Sequence, residues 1–144
     1  MIKKALTFFL LSTLLISCNK MTINPPMLIE GEQELDQNQK IILSGDFKAA
    51  AHPTSGKAEI IEEDGIKKLK FSNFKTDSGP DLRVYLAEDN KASNFIEISN
   101  KVKNGTLIYS LPTGINLEKQ KYVLIWCKLF KVNFGTAVLN TPTA

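Results

Sequence analysis

Sulfur and imidazole are scarce in this chain, which has two cysteines and one histidine in 144 residues. A closed zinc site takes four ligands from cysteine, histidine or carboxylate, and with Cys18 at the end of an amino-terminal apolar run, one cysteine and one histidine in the rest of the chain argue against one. There is no Cys-x-x-Cys-His for covalent haem attachment. Also missing are a Gly-x-Ser-x-Gly elbow, a phosphate-cradling glycine loop and paired histidines at metal spacing, so no motif supports catalysis. No basic cluster with interleaved aromatics is present, which removes a nucleic-acid partner. There is no internal repeat and no convincing amphipathic helix.

The amino terminus fixes the compartment. Lys3 and Lys4 precede an apolar stretch from Ala5 to Ile16, too short for a stable bilayer-spanning helix, so it reads as a cleaved export signal over residues 1–17. Leu15-Ile16-Ser17-Cys18 closes it and resembles a lipobox, in which the cysteine thiol receives a diacylglyceryl group and becomes the mature amino terminus. Each buried methylene adds roughly 0.8 kcal/mol of membrane affinity, so two or three acyl chains hold permanently. The partner implied is membrane lipid through Cys18. Asn19 is not the aspartate associated with inner-membrane retention, so the expected place is the outer membrane, on its periplasmic or surface face.

Without Lys3 and Lys4 the count is 16 basic against 15 acidic residues, a formal charge of about +1, in a mature chain of 127 residues (144 − 17). That length suits one domain. Residues 18–39 carry Pro25-Pro26 and a run of polar amides without apolar periodicity, and read as a lipidated flexible tether with a reach on the order of 25 Å. Met21, Leu28 and Ile29 allow the alternative of an edge segment docked on the domain.

Residues 40–144 read as all-β. Ile41 to Leu43 opens the domain. Ala58 to Glu63 and Ile66 to Phe71 flank Asp64-Gly65, a hairpin signal because a type I′ turn needs positive φ at both central residues. Leu82, Val84 and Leu86 alternate with Arg83, Tyr85 and Ala87; Phe95 to Ile98 and Thr106 to Leu111 add strands. Tyr122 to Cys127 is apolar on both faces, which predicts a central strand covered from both sides. Phe130, Val132 and Phe134 then face one way, and Gly135 is expected to interrupt before Ala137 to Leu139. Leu117 to Lys121 suits a helical turn. The expected architecture is an antiparallel β-sandwich, with a barrel as the alternative, burying Trp126, Cys127, Phe130 and Phe134.

Several of these segments occur together in a known order. Ser44-Gly45-Asp46-Phe47, His52 to Ala58, Leu69 to Phe74, Gly79 to Leu86, and Tyr122 to Cys127 with Phe130, Phe134-Gly135 and Ala137 resemble the DM-thirteen domain. The resemblance covers nearly the whole globular part. It implies an extracellular or envelope module to which electron transfer is ascribed, with the family's cysteine acting as a bare thiol or as a ligand of a prosthetic group.

Cys127 is then the residue to explain, since Cys18 carries the lipid. A lone thiol in an exported domain is a buried apolar filler, an intermolecular crosslinker, a metal or haem ligand, or a redox group. His52 is the one imidazole available to pair with it, as a second haem ligand or as a base that lowers the thiol pKa. Its alternative is a loop residue held extended by Pro53. Asp77-Ser78-Gly79-Pro80-Asp81 offers two carboxylates for a hard cation, but aspartate, serine, glycine and proline are also what tight turns use, and a turn is the expectation. Asn104-Gly105-Thr106 matches a glycosylation sequon and is expected to mark a hairpin turn. Two functions from different classes remain. One is a redox module centred on Cys127 and His52. The other is a lipid-tethered binding module for an envelope protein or glycan.

Overall fold

The Asp64-Gly65 turn forms as its sequence requires: φ is 50° at Asp64 and 76° at Gly65, and Glu63 pairs with Ile66 across it. In the computed structural model, which describes residues 39–142, this hairpin joins β2 (Thr54–Glu63) to β3 (Ile66–Thr76). The other strands are β1 (Lys40–Ala49), β4 (Leu82–Ala87), β5 (Ile96–Ser99), β6 (Gly105–Ser110), β7 (Tyr122–Cys127) and β8 (Val132–Val138). The segment expected to be an export signal, Cys18 and the chain up to Asn38 lie outside the described residues.

Every strand pair is antiparallel, in the order β5-β4-β7-β8-β1-β2-β3-β6. β1 turns the corner. Its residues 40–46 pair with β2, and Phe47 to Ala49 pair with β8, so one strand belongs to both halves of the sheet. The edges β5 and β6 approach each other, and the sheet nearly closes into a barrel. The all-β antiparallel expectation holds, in its barrel-like form.

The interior is filled by Phe47, Ile60, Leu69, Phe71, Phe74, Val84, Leu86, Val123, Ile125 and their neighbours. Phe47, Phe71 and Phe74 form a triangle with ring centroids 4.9–5.0 Å apart. Phe71 and Phe74 are three residues apart yet both buried, because Asn73 takes a left-handed φ of 50° where the pairing with β6 shifts. Each buried aromatic of this kind contributes on the order of 1.5–3 kcal/mol.

β7 lies between β4 and β8 and is covered on both faces, as its sequence predicts. Val123, Ile125 and Cys127 face the interior. Tyr122, Leu124 and Trp126 face outward into a second cluster with Tyr85, Ala87 and Ala92. The cover over this outer cluster includes the β4–β5 loop, which supplies Ala92, and Phe95 at its end stacks on Tyr85 at 4.2 Å.

Four expectations need correction. Phe130 is 65% exposed, because Lys128 to Lys131 form a turn that projects it past the strand ends. Trp126 is half-buried in the outer cluster instead of the core. Gly135 does not interrupt β8; the irregularity is a bulge that places Phe134 between Asn133, opposite Trp126, and Gly135, opposite Ile125. Asn104-Gly105 joins the two sheet edges β5 and β6, so it is a crossover and not a hairpin turn. The segment Leu117 to Lys121 forms one hydrogen-bonded turn, with the Asn116 side chain accepting from the N–H groups of Glu118 and Lys119.

Candidate functional site

Register fixes which loops share an end of the barrel. Thr54 pairs with Thr76, Leu82 with Cys127, Val84 with Ser99 and Cys127 with Val132, so loops 50–53, 77–81, 100–104 and 128–131 gather at one end. His52, Asp77, Asp81 and Cys127 are all at or beside that end.

His52 is held from three directions. Its N–H donates to the carbonyl of Phe134 at 3.2 Å, its ring stacks on Phe134 at 3.8 Å, and Nδ1 lies 3.1 Å from Asp77 Oδ2. With Nδ1–H donating to that carboxylate, Nε2 keeps the free lone pair. The imidazole is 39% exposed and Asp77 52%, so the pair is open to solvent. Pro53 is followed by Thr54, whose buried hydroxyl lies 3.2 Å from the carbonyls of both His52 and Phe134 and 3.1 Å from Thr76 Oγ1. That hydroxyl ties β1–β2, β3 and β8 together at this end. Gly135 permits it, because a Cβ at Gly135 would sit 2.3 Å from the Thr54 Cβ.

Cys127 has a different environment. It is a free thiol with 0% exposure, inside the apolar cluster with Phe134, Val84 and Ile125. Phe134 is therefore shared: it belongs to the same buried cluster as the thiol and carries the imidazole on its ring. The partners that the structure gives His52 are Asp77 and Phe134, and the sulfur is not among them. A haem ligated by both residues needs an open face beside the sulfur, and a side chain enclosed by protein on all sides offers none; the arrangement does not fit that group.

The aspartate-rich loop is a turn. Asp77 engages His52, while Asp81 accepts from Arg83 Nε at 2.6 Å, and Arg83 also donates to Glu97 at 2.8 Å. The hydrogen bond to Asp81, then that to Glu97, raises the Arg83 pKa further above its ordinary value. Among the described residues no group of three or more histidine, cysteine, aspartate or glutamate side chains converges as a metal site. Beside this loop lies a cavity of about 480 Å³, lined by residues 76–82 with Asn100, Val102, Lys103 and Asn104. Asn104 closes its wall by a two-point clasp: Oδ1 accepts from the N–H of Thr76 at 2.9 Å and Nδ2 donates to its carbonyl at 3.3 Å. Nearby, Tyr109 donates its hydroxyl to the carbonyl of Lys101 at 3.0 Å, and burial pushes its pKa up to about 12.

The family model described as Electron transfer DM13 matches residues 46–139, nearly all of this barrel, including His52, Asp81 and Cys127. The chain belongs to this family. No curated protein and no solved structure matches the chain. What composition and periodicity alone miss in this DM13 domain are the Thr54 hydroxyl knot, the Asp77 partner of His52 and the Asn104 clasp. All three join residues more than twenty positions apart, and the only local signal is the small residue, Gly135, that makes room for Thr54.

Proposed function

We propose that the protein is an electron-transfer module held at the cell envelope by a lipid on Cys18, with the sulfur of Cys127 as its redox group. Membership of the electron-transfer DM13 family carries this reading. It is supported by composition, since Cys127 is the one thiol in the matched segment. Two thiols give one disulfide, two protons and two electrons, so the second thiol comes from another molecule and the two electrons pass to an oxidised redox partner, whose place the electrode takes in the test. Such a partner reaches Cys127 only when the end of the β7–β8 hairpin opens, and the buried thiol is inert between encounters.

The experiment uses the full chain. Protein-film voltammetry with a small-molecule thiol present should show a redox wave that Cys127→Ser abolishes, while the variant keeps its fold at a cost of about 1–3 kcal/mol for the buried hydroxyl. An identical wave in the variant rejects the sulfur as the redox group. Acyl mass on Cys18 in protein from membranes supports the anchor, and recovery of all the chain unmodified rejects it.

The complete burial of Cys127 favours a second reading, a lipid-tethered binding module in which the thiol is core filler. That reading expects no wave and no reaction of the native thiol with dilute reagent. Its partner would be an envelope protein or glycan.

A further inference from the structure

The turn between β7 and β8 reads Lys128-Leu129-Phe130-Lys131, and its two apolar side chains point into water. Leu129 is 63% exposed and Phe130 65%, the highest values among the large apolar residues described. The turn is anchored at its base. Lys128 donates its N–H to the carbonyl of Asp81 at 2.9 Å, Cys127 pairs with Val132, and Lys131 completes the loop with a left-handed φ of 54°. Two adjacent exposed apolar side chains between two lysines, on a turn held at its base, form a small amphipathic tip of the kind that can meet another apolar surface.

We propose that this tip inserts into an anionic lipid surface. The charge of the surrounding end is complementary. Loops 50–53, 77–81, 100–104 and 128–131 hold four lysines and two aspartates, a balance of +2, and those aspartates face His52 and Arg83. At the other end, loops 64–65, 88–95 and 111–121 hold three lysines against four acidic residues, a balance of −1. Lys128 forms a long, exposed ion pair with Glu97 at 4.0 Å, and Arg83 at 2.8 Å already holds that carboxylate, so a phosphate can displace Glu97 from the ammonium. Shape selects lipid over protein. A stable protein interface needs about 800 Å² on each partner, whereas a bilayer accepts two protruding side chains one by one.

Chain length permits contact with the membrane that would hold Cys18. Lys40 pairs with Glu62 near the Asp64-Gly65 turn, so the chain enters the barrel at the end away from the tip. The eleven residues of β3 measure about 35 Å. The 21 residues from Asn19 to Gln39 extend to at most about 70 Å, enough to pass along the barrel. The insertion needs no acyl group, so it stands apart from the lipid anchor.

The test mixes the full chain with vesicles of phosphatidylglycerol or of phosphatidylcholine, each made with or without brominated acyl chains. Phe130→Trp adds a reporter at the tip, read over the emission of Trp126 in the unsubstituted chain; Leu129→Trp is the second reporter, and circular dichroism checks that both keep the native spectrum. On phosphatidylglycerol the added emission should move to the blue and be lost to bromine quenching. On phosphatidylcholine, or with Lys128→Glu and Lys131→Glu together, both effects should disappear. Added emission that stays water-like on phosphatidylglycerol overturns the proposal, and so does an equal response on the two lipids. Mass spectrometry of Cys18 reports separately on the anchor, so failure of one idea is not failure of the other.

Discussion

Adjacent residues of β7 have opposite fates. The inner face, Val123, Ile125 and Cys127, is sealed by the whole barrel; the outer face, Tyr122, Leu124 and Trp126, is covered in part by the single loop 88–95. The inner seal draws on every strand, and short of unfolding only its end beside Cys127 can open. The outer seal is local: Asp89 accepts from the N–H of Lys91 at 2.9 Å, the N–H of Ser93 at 3.0 Å and the hydroxyl of Ser93 at 2.7 Å, and so shapes the loop that delivers Ala92. A thiol on the inner face is protected at the expense of access, and the redox role proposed for Cys127 has to meet that condition. The aromatic stack on the outer face, with Tyr85 and Trp126 centroids 6.3 Å apart, is shielded by something that opens far more cheaply.

Truncation on each face tests that contrast most strongly. Ile125→Ala should lower global stability by about 2–5 kcal/mol, because it removes buried methylenes from a core that cannot collapse around the gap. Trp126→Ala removes a larger side chain but a half-buried one, and should cost less than Ile125→Ala in denaturant melts. A greater loss at Trp126 would mean that the outer cluster, not the interior, holds the barrel.

Base should act on the inner face. Tyr109 packs edge-on against Phe71 at 5.2 Å, and burial raises its pKa to about 12 against about 10 in an unfolded chain. Its contribution to stability is complete below pH 10 and is lost as pH rises from 10 to about 12, since the unfolded phenol ionises first. Melting temperature should therefore fall through that window, and Tyr109→Phe should flatten the fall. An unchanged slope in the variant would remove Tyr109 from the account.

The difference between the faces was partly legible in the sequence. Two-sided hydrophobicity of Tyr122 to Cys127 predicts a central strand, and Asp64-Gly65 predicts its turn from φ alone, because both signals are local. The outer cover is not legible in the same way: Glu88 to Phe95 is polar but for Ala92 and its last residue, and only its fold over β4 and β7 makes it a lid. Phe130 misled for a related reason. Continuing the alternation back from Val132 and Phe134 assumes an unbroken strand, and a four-residue turn between Cys127 and Val132 takes Phe130 out of it. At the candidate site, His52 and Cys127 stand out as residue types, but their surroundings depend on Phe134, Thr54 and Asp77, which reach them across the sheet. The half of β1 from Gly45 to Ala49 went unread because glycine, aspartate and lysine interrupt its pattern where it changes sheets.

Acid should act on the outer face, with the smallest effect. The hydrogen bonds from Ser93, then that from Lys91, hold the Asp89 carboxyl below its ordinary range. A carboxylate depressed in the folded state gives stability that is present above its unfolded pKa and lost as pH falls through the folded value. Below about pH 4 the loop should begin to loosen over Tyr85 and Trp126 while the core stays closed. Trp126 emission should shift to the red in this range without loss of the β-sheet circular dichroism signal, and hydrogen exchange should quicken at Lys91 and Ser93. Asp89→Asn should bring the same change to neutral pH. If the emission shift and the loss of sheet signal coincide at every pH, the two faces open as one unit and the contrast between them is wrong.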